Sequence, residues 1–128
     1  MHVTWLLFSF QGRISRLPFW CFTIVAGLSV YFGGELIAYS ANLPFRTGID
    51  LAAMIVLLPA LAVQTKRWHD RGKSAWWLLI SLVPVVGPIW ALVECGALKG
   101  IRGPNAHGND PLTSGAPDVT DETRVTPD

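Results

Sequence analysis

Apolar and polar positions along this chain fall into blocks instead of alternating. Leu17–Ala41 carries no charge until Glu35, Ile49–Thr65 is apolar apart from Asp50 and Gln64, and Ser74–Leu98 is interrupted only by Glu94. At 1.5 Å per residue, roughly 22 residues of helix reach about 33 Å, enough for the hydrocarbon core of a bilayer. The pattern predicts an all-α integral membrane protein. Its small bundle has three transmembrane helices, over about residues 18–40, 49–65 and 75–98.

Each run carries its own irregularity. The first is too long for a cleaved signal peptide and is expected to be retained. The second has only about 15 residues between Asp50 and Lys66, so both ends must reach the interface by snorkelling; Pro59 should kink it. The third holds Val83-Pro-Val-Val-Gly87-Pro88 at its centre. That segment reads as one kinked crossing, with a re-entrant hairpin as the alternative.

Asn42–Gly48 reads as a turn. Before the first run, Val3–Phe10 is too short to span. It suggests a segment lying in the interface or packed on the helix ends. Residues 1–111 form the membrane domain, and 112–128, rich in Thr, Asp and Pro, are expected to be a disordered tail.

Composition sharpens this picture. Hydrophobic residues make up 51% of the chain and charged residues only 15%, against about a quarter in soluble domains. Three spans put Arg13, Arg16, Lys66, Arg67, Arg71 and Lys73 on one face, and Arg46, Lys99 and Arg102 on the other. By the positive-inside rule the N-terminus and the 66–73 loop are cytoplasmic and the C-terminus lies outside. Trp5, Trp20, Trp68, Trp76 and Trp77 belong near the cytoplasmic interface, with Trp90 elsewhere; Glu35, Asp50 and Glu94 belong near the outer one. Cys21 and Cys95 then sit at opposite faces, too far apart for a disulfide.

The candidate chemistry centres on Gln64–Trp77, QTKRWHDRGKSAWW. Arg13, Arg16, Arg67, His69 and Asp70 form one cluster. It is either a fastening in which Asp70 accepts hydrogen bonds from arginine, or an anion-binding or pH-responsive pocket. Glu35 and Glu94 are intramembrane carboxylates, explained by snorkelling or by moving a proton or cation. Asn105, Gly108 and Asp110 belong to two tight C-terminal turns. A metal site from His69, Asp70, His107 and Asp110 needs both loops on one face, which three spans forbid. There is no Walker motif or nucleophile elbow, so no metal, cofactor, enzyme activity or nucleic-acid partner is expected.

Four ordered pieces carry a resemblance. They are Phe10-Gln-Gly-Arg13-Ile-Ser-Arg16 with Phe19-Trp20, then Lys66-Arg67-Trp68-His69-Asp70-Arg71-Gly-Lys-Ser-Ala-Trp76-Trp77, then Pro84-Val-Val-Gly87, and finally Gly103-Pro-Asn105-Ala-His-Gly108-Asn-Asp110-Pro111. Over about residues 8–111 the chain resembles the small bacterial inner-membrane proteins of domain-of-unknown-function family 805. It departs from the pattern at Lys66, Trp68 and His107. The resemblance implies a bacterial inner-membrane location and no established activity. The function expected is a non-enzymatic membrane protein that binds membrane lipid or a membrane-protein partner through its basic loop. The alternative is a small transporter or channel subunit, active as a homo-oligomer, that uses Glu35 and Glu94. Gly27, Gly33, Gly34, Ala38, Ala52 and Ala53 are small enough for close helix contacts.

Overall fold

The computed structural model describes residues 2–113; the expected tail lies outside them but for its first two residues. A short helix α1 (Val3–Phe8) leads into two long antiparallel helices, α2 (Arg16–Ala41) and α3 (Phe45–Asp70). Only 11% and 22% of the most apolar windows of α2 and α3 are buried. A soluble core helix would hide most of that surface, so these two face lipid. Exposed Ile24, Leu28, Phe32, Met54, Ile55 and Leu58 supply the apolar coat.

The two helices cross where small residues let their backbones meet. A Cβ on Gly34 would stand 2.8 Å from the Cα of Ile49, and one on Gly48 would run into the carbonyl of Gly34. Ala38 and Ala52 are buried at the same crossing. Gly48 is therefore a packing residue inside α3 and not part of the turn expected over 42–48. That turn is tighter, made by Asn42 in the left-handed region (φ 53°) and by Pro44. Gly27 and Gly33 have nothing within 4 Å, and Ala53 is exposed, so they take no part in the contact.

At its other end α3 runs further than expected. Lys66, Arg67 and His69 are helical, and the helix stops only at Asp70. Its end is a Schellman motif: Lys73 N–H donates to the Trp68 carbonyl, Gly72 N–H to that of His69, and Gly72 takes φ 72°. A glycine at this position meets the left-handed conformation without a Cβ penalty.

The third apolar run corrects the expectation of one crossing. A 3₁₀ helix (Ala75–Leu82) ends at a reversal, and α4 (Val86–Ala91) with a π-turn (Leu92–Ala97) returns beside it. Val85 sits at the tip with φ 67°, an unfavourable conformation for a β-branched residue. Gly87 lies so close to the Ile80 carbonyl that no Cβ fits between the arms. The run folds back on itself as a hairpin, and it brings residues 98–113 back to the end of the molecule that holds Asp70. The core lies at this end: Ile14, Phe19, Val63, Trp68, Ala91 and Cys95, with Trp5, Leu78 and Ile80 packed against it.

Candidate functional site

Burying a charge is tolerable only when it is paired and hydrogen-bonded, and the end of α3 buries several. Asp70 is 3% exposed, Arg13 5% and Arg67 fully buried. Arg13 donates from Nε and Nη2 to Asp70 Oδ1 at 3.1 and 3.0 Å, while Arg67 Nη1 donates to Asp70 Oδ2. The remaining guanidinium donors reach main-chain carbonyls. Arg13 reaches those of Ile101, Gly103 and Gly108, and Arg67 those of Cys95, Leu98 and Ile14. The planar fork of arginine suits this, since five fixed donors can tie several segments at one point. One carboxylate and two guanidiniums thus join α1's exit, the end of α3, the π-turn and the C-terminal loop.

The loop after the hairpin completes the knot. Asn105 Nδ2 donates to the His69 carbonyl at 2.9 Å, and Asn105 and Gly108 exchange main-chain hydrogen bonds. Asp110 accepts from the N–H groups of Leu112 and Gly103. These bonds, first that from Leu112, hold its carboxyl below the ordinary carboxylate range, with Arg13 and Arg102 adding electrostatic attraction. His69 and His107 stack with ring centres 3.9 Å apart. His69, Asp70, His107 and Asp110 do meet on one face, contrary to the three-span expectation. Among the described residues, however, no three His, Cys, Asp or Glu side chains converge as a metal-binding group.

Beside the knot, Lys73 Nζ lies over the rings of Trp77, Trp68 and Trp90 at 4.3, 5.5 and 5.9 Å, and donates to Glu94 Oε1 at 2.9 Å. Arg71 reaches the other oxygen of Glu94 at 3.1 Å. Glu94, expected near the outer interface, and Trp90, expected away from the cytoplasmic one, therefore belong to the basic end. Lys66, expected in a solvated loop, is fully buried: it donates to the carbonyls of Trp5 and Ser9 and sits 4.9 Å from the Trp5 ring. α1 thus packs on the end of α3. The indole N–H of Trp68 is buried with no acceptor among the described residues.

Other sequence candidates fall elsewhere. Arg16 is exposed, donates to the Ala97 carbonyl at 3.1 Å, and stays outside the Asp70 knot. Glu35 adjoins Gly34 at the α2–α3 crossing beside Ile49. At 1.5 Å per residue that is about 30 Å along α3 from Asp70, so Glu35 and Glu94 occupy opposite ends. Cys21 and Cys95 share the basic end, since the neighbouring Trp20 donates to the Gly96 carbonyl at 3.1 Å; both are free thiols.

Sequence reasoning singled out Arg16 but missed Lys99 and Arg102 beside it. Arg16, Lys99 and Arg102 line a cavity of about 580 Å³, with Trp20, Leu17 and Leu112 as its apolar wall and Arg67 and Asp70 at its floor. Three spans would put Lys99 and Arg102 on the opposite face, and the hairpin returns them to this one.

Known proteins resemble this chain over most of its length. The chain is 32% identical over 131 residues to the uncharacterized protein YiiR of Escherichia coli K12, covering 81% of this chain and 86% of that one. It is 33% identical over 103 residues to the inner membrane protein YhaI of the same organism, covering 80% and 85%. The inner membrane protein YhaH is 32% identical over 106 residues, covering 80% and 86%. No solved structure matches. The lipid-facing helices and these relatives make this an integral membrane protein. The model of one family matches residues 7–109, and the chain belongs to it: the family described as protein of unknown function, DUF805.

Proposed function

We propose that this is a non-enzymatic protein of the bacterial inner membrane whose basic end lies at the cytoplasmic face and binds anionic membrane lipid. One observation carries the reading. Of the ten Lys and Arg residues in the chain, Arg13, Arg16, Lys66, Arg67, Arg71, Lys73, Lys99 and Arg102 gather at a single end. Arg46, with Glu35 and Asp50, marks the other. Cytoplasmic flanks are where lysine and arginine accumulate, so the N-terminus, the 71–74 turn and residues 99–113 all belong inside. This revises the exit of the C-terminus to the outside that three crossings required.

An anionic leaflet attracts each cation near its surface by about 1 kcal/mol. The six tryptophans favour the same boundary, with Trp5, Trp20, Trp68, Trp77 and Trp90 all contacting groups of the basic end. The polar side chains of the knot are engaged with one another, which suits a scaffold better than a catalyst. Transport would need Glu35 and Glu94 along one path, and their separation favours no such path.

A reporter fused after Asp128 in a bacterial inner membrane tests the topology, and a cytoplasmic signal is expected. A periplasmic signal overturns the reading. The full chain reconstituted in phosphatidylglycerol discs should also exchange its 99–113 amides more slowly than in phosphatidylcholine discs. Equal exchange would turn the search toward a protein partner.

A further inference from the structure

We propose that the cavity between the start of α2, the π-turn and the C-terminal loop is a binding site for a phosphate-ester anion at the membrane boundary. The inference rests on the lipid-facing reading above and names the chemistry of its site.

Its charge is unbalanced in the ligand's favour. Four cations line the cavity, Arg16, Arg67, Lys99 and Arg102, against the two carboxylates of Asp70 and Asp110. Asp70 is already held by Arg13 and Arg67, and Asp110 by the N–H groups of Gly103 and Leu112. Among the described residues, Arg16, Lys99 and Arg102 have no carboxylate within ion-pair distance. The side chains of Lys99 and Arg102 make no hydrogen bond there, and Arg16 gives one donor to the Ala97 carbonyl. Arg102 is near enough to attract Asp110 electrostatically, leaving Arg16 and Lys99 with the larger uncompensated field.

The three cations come from two elements, Arg16 from the first residue of α2 and Lys99 and Arg102 from the segment after the π-turn. The knot around Asp70 ties the segment after the π-turn to the end of α3 and to the residues that enter α2, so both elements are held in place before a ligand arrives. Guanidinium and ammonium donors suit phosphate oxygens. Leu17, 74% exposed, and Trp20 carry the wall toward the lipid-facing side of α2, where acyl chains would lie. Such a mix of apolar wall and a few convergent polar groups, at this volume, is typical of small-molecule sites.

A glycerophospholipid headgroup and a free phosphate ester share this chemistry, and the experiment separates them. The full chain is purified in a zwitterionic detergent and stripped of lipid. It is then titrated with phosphatidylglycerol, phosphatidylcholine, glycerol 3-phosphate and inorganic phosphate, with binding read by native mass spectrometry and thermal shift. Saturable binding of phosphatidylglycerol, or of the soluble phosphates, is expected to fall about a hundredfold in R16Q/K99Q/R102Q, roughly fivefold per cation. Lipid binding alone identifies a headgroup site; equal binding of the soluble esters identifies a soluble ligand.

R46Q removes one exposed cation at the far end and should bind as the parent does. The three cavity cations are exposed, so the triple variant should keep the parent's melting temperature without ligand. If it melts lower, the single K99Q variant carries the test, with about a fivefold loss expected. Binding unchanged in the triple and K99Q variants overturns the site, as does an equal loss in R46Q. The topology reporter and the exchange measurement stand apart from these results, so the lipid-facing reading can survive failure of the site.

Discussion

Asp70→Asn isolates the charge at the centre of the knot. Asparagine keeps the shape and one carbonyl acceptor, so the substitution removes the counter-charge with little change in volume. Arg13 and Arg67, at 5% and 0% exposure, would then keep their main-chain acceptors and lose the carboxylate that, among the described residues, pairs with both. Breaking a buried ion pair from one side costs about 3–5 kcal/mol, because the cost of the stranded charge outweighs the attraction lost. At 1.4 kcal/mol per tenfold, the ratio of folded to unfolded protein falls by between about a hundredfold and a few thousandfold.

The assay is reversible unfolding of the full chain in one detergent, alongside abundance in the membrane fraction. The exposed Arg46–Asp50 pair is the internal control, at 3.4 Å with side chains 87% and 63% exposed; R46Q should cost no more than about 0.5 kcal/mol. A neutral double variant, R13Q/D70N, removes one stranded cation with the carboxylate. Its loss should therefore fall short of the sum of the single losses by at least about 1 kcal/mol. Reversing the pair as R67D/D70R should recover nothing, because a carboxylate at 67 would face the carbonyls that Arg67 now serves. If D70N unfolds within about 1 kcal/mol of the parent, the knot does not hold the fold as argued.

Two further outcomes follow from the same geometry. Gly34→Ala forces a methyl to 2.8 Å from the Ile49 backbone and should destabilise the bundle by about 1–3 kcal/mol. Gly27→Ala, in open space on the same helix, should be neutral or slightly stabilising in the same unfolding assay. The Asp110 carboxyl is held below its ordinary value by the N–H groups of Leu112 and Gly103, so its contribution is fully present above about pH 5. That contribution should fade as the pH falls through the carboxylate range, below about pH 4. The stability gap between parent and D110N should narrow there; a gap that widens in acid contradicts the assignment.

The uncharged runs made the helices legible, because 20 or so apolar residues have few fates other than a span. The pairing of arginine with Asp70 was legible too, since a carboxylate among cations beside a membrane needs a partner. The extent of α3 was not. Lys66 and Arg67 read as part of the loop after the second run, and their burial is tolerable because carbonyls remote in sequence, those of Trp5, Ser9, Cys95 and Leu98 among them, accept their hydrogen bonds. Gly72 was the available signal, as a glycine one residue past a helix's C-cap stops it in the left-handed region. For Ser74–Leu98, hydropathy is the same for a bent crossing and a hairpin. The decision rests on Val85 at positive φ and on Gly87 against the Ile80 carbonyl. No local preference of valine foretells the first.

That single reversal redistributes every functional argument. With residues 98–113 returned to the end of α3, Arg13, Asp70, Asn105, Gly108 and Asp110 bond to one another or to main chain. The motifs that carried the resemblance therefore read as a fastening, and their loss should show first as lost protein. A ligand must be met by side chains the fastening leaves over. Arg16, Lys99 and Arg102 are those, and they point outward because the inward positions around Asp70 are already filled by Arg13 and Arg67. Variants that separate abundance from binding should therefore divide along this line: D70N lowers the amount of folded protein, whereas K99Q leaves the amount unchanged and weakens anion binding.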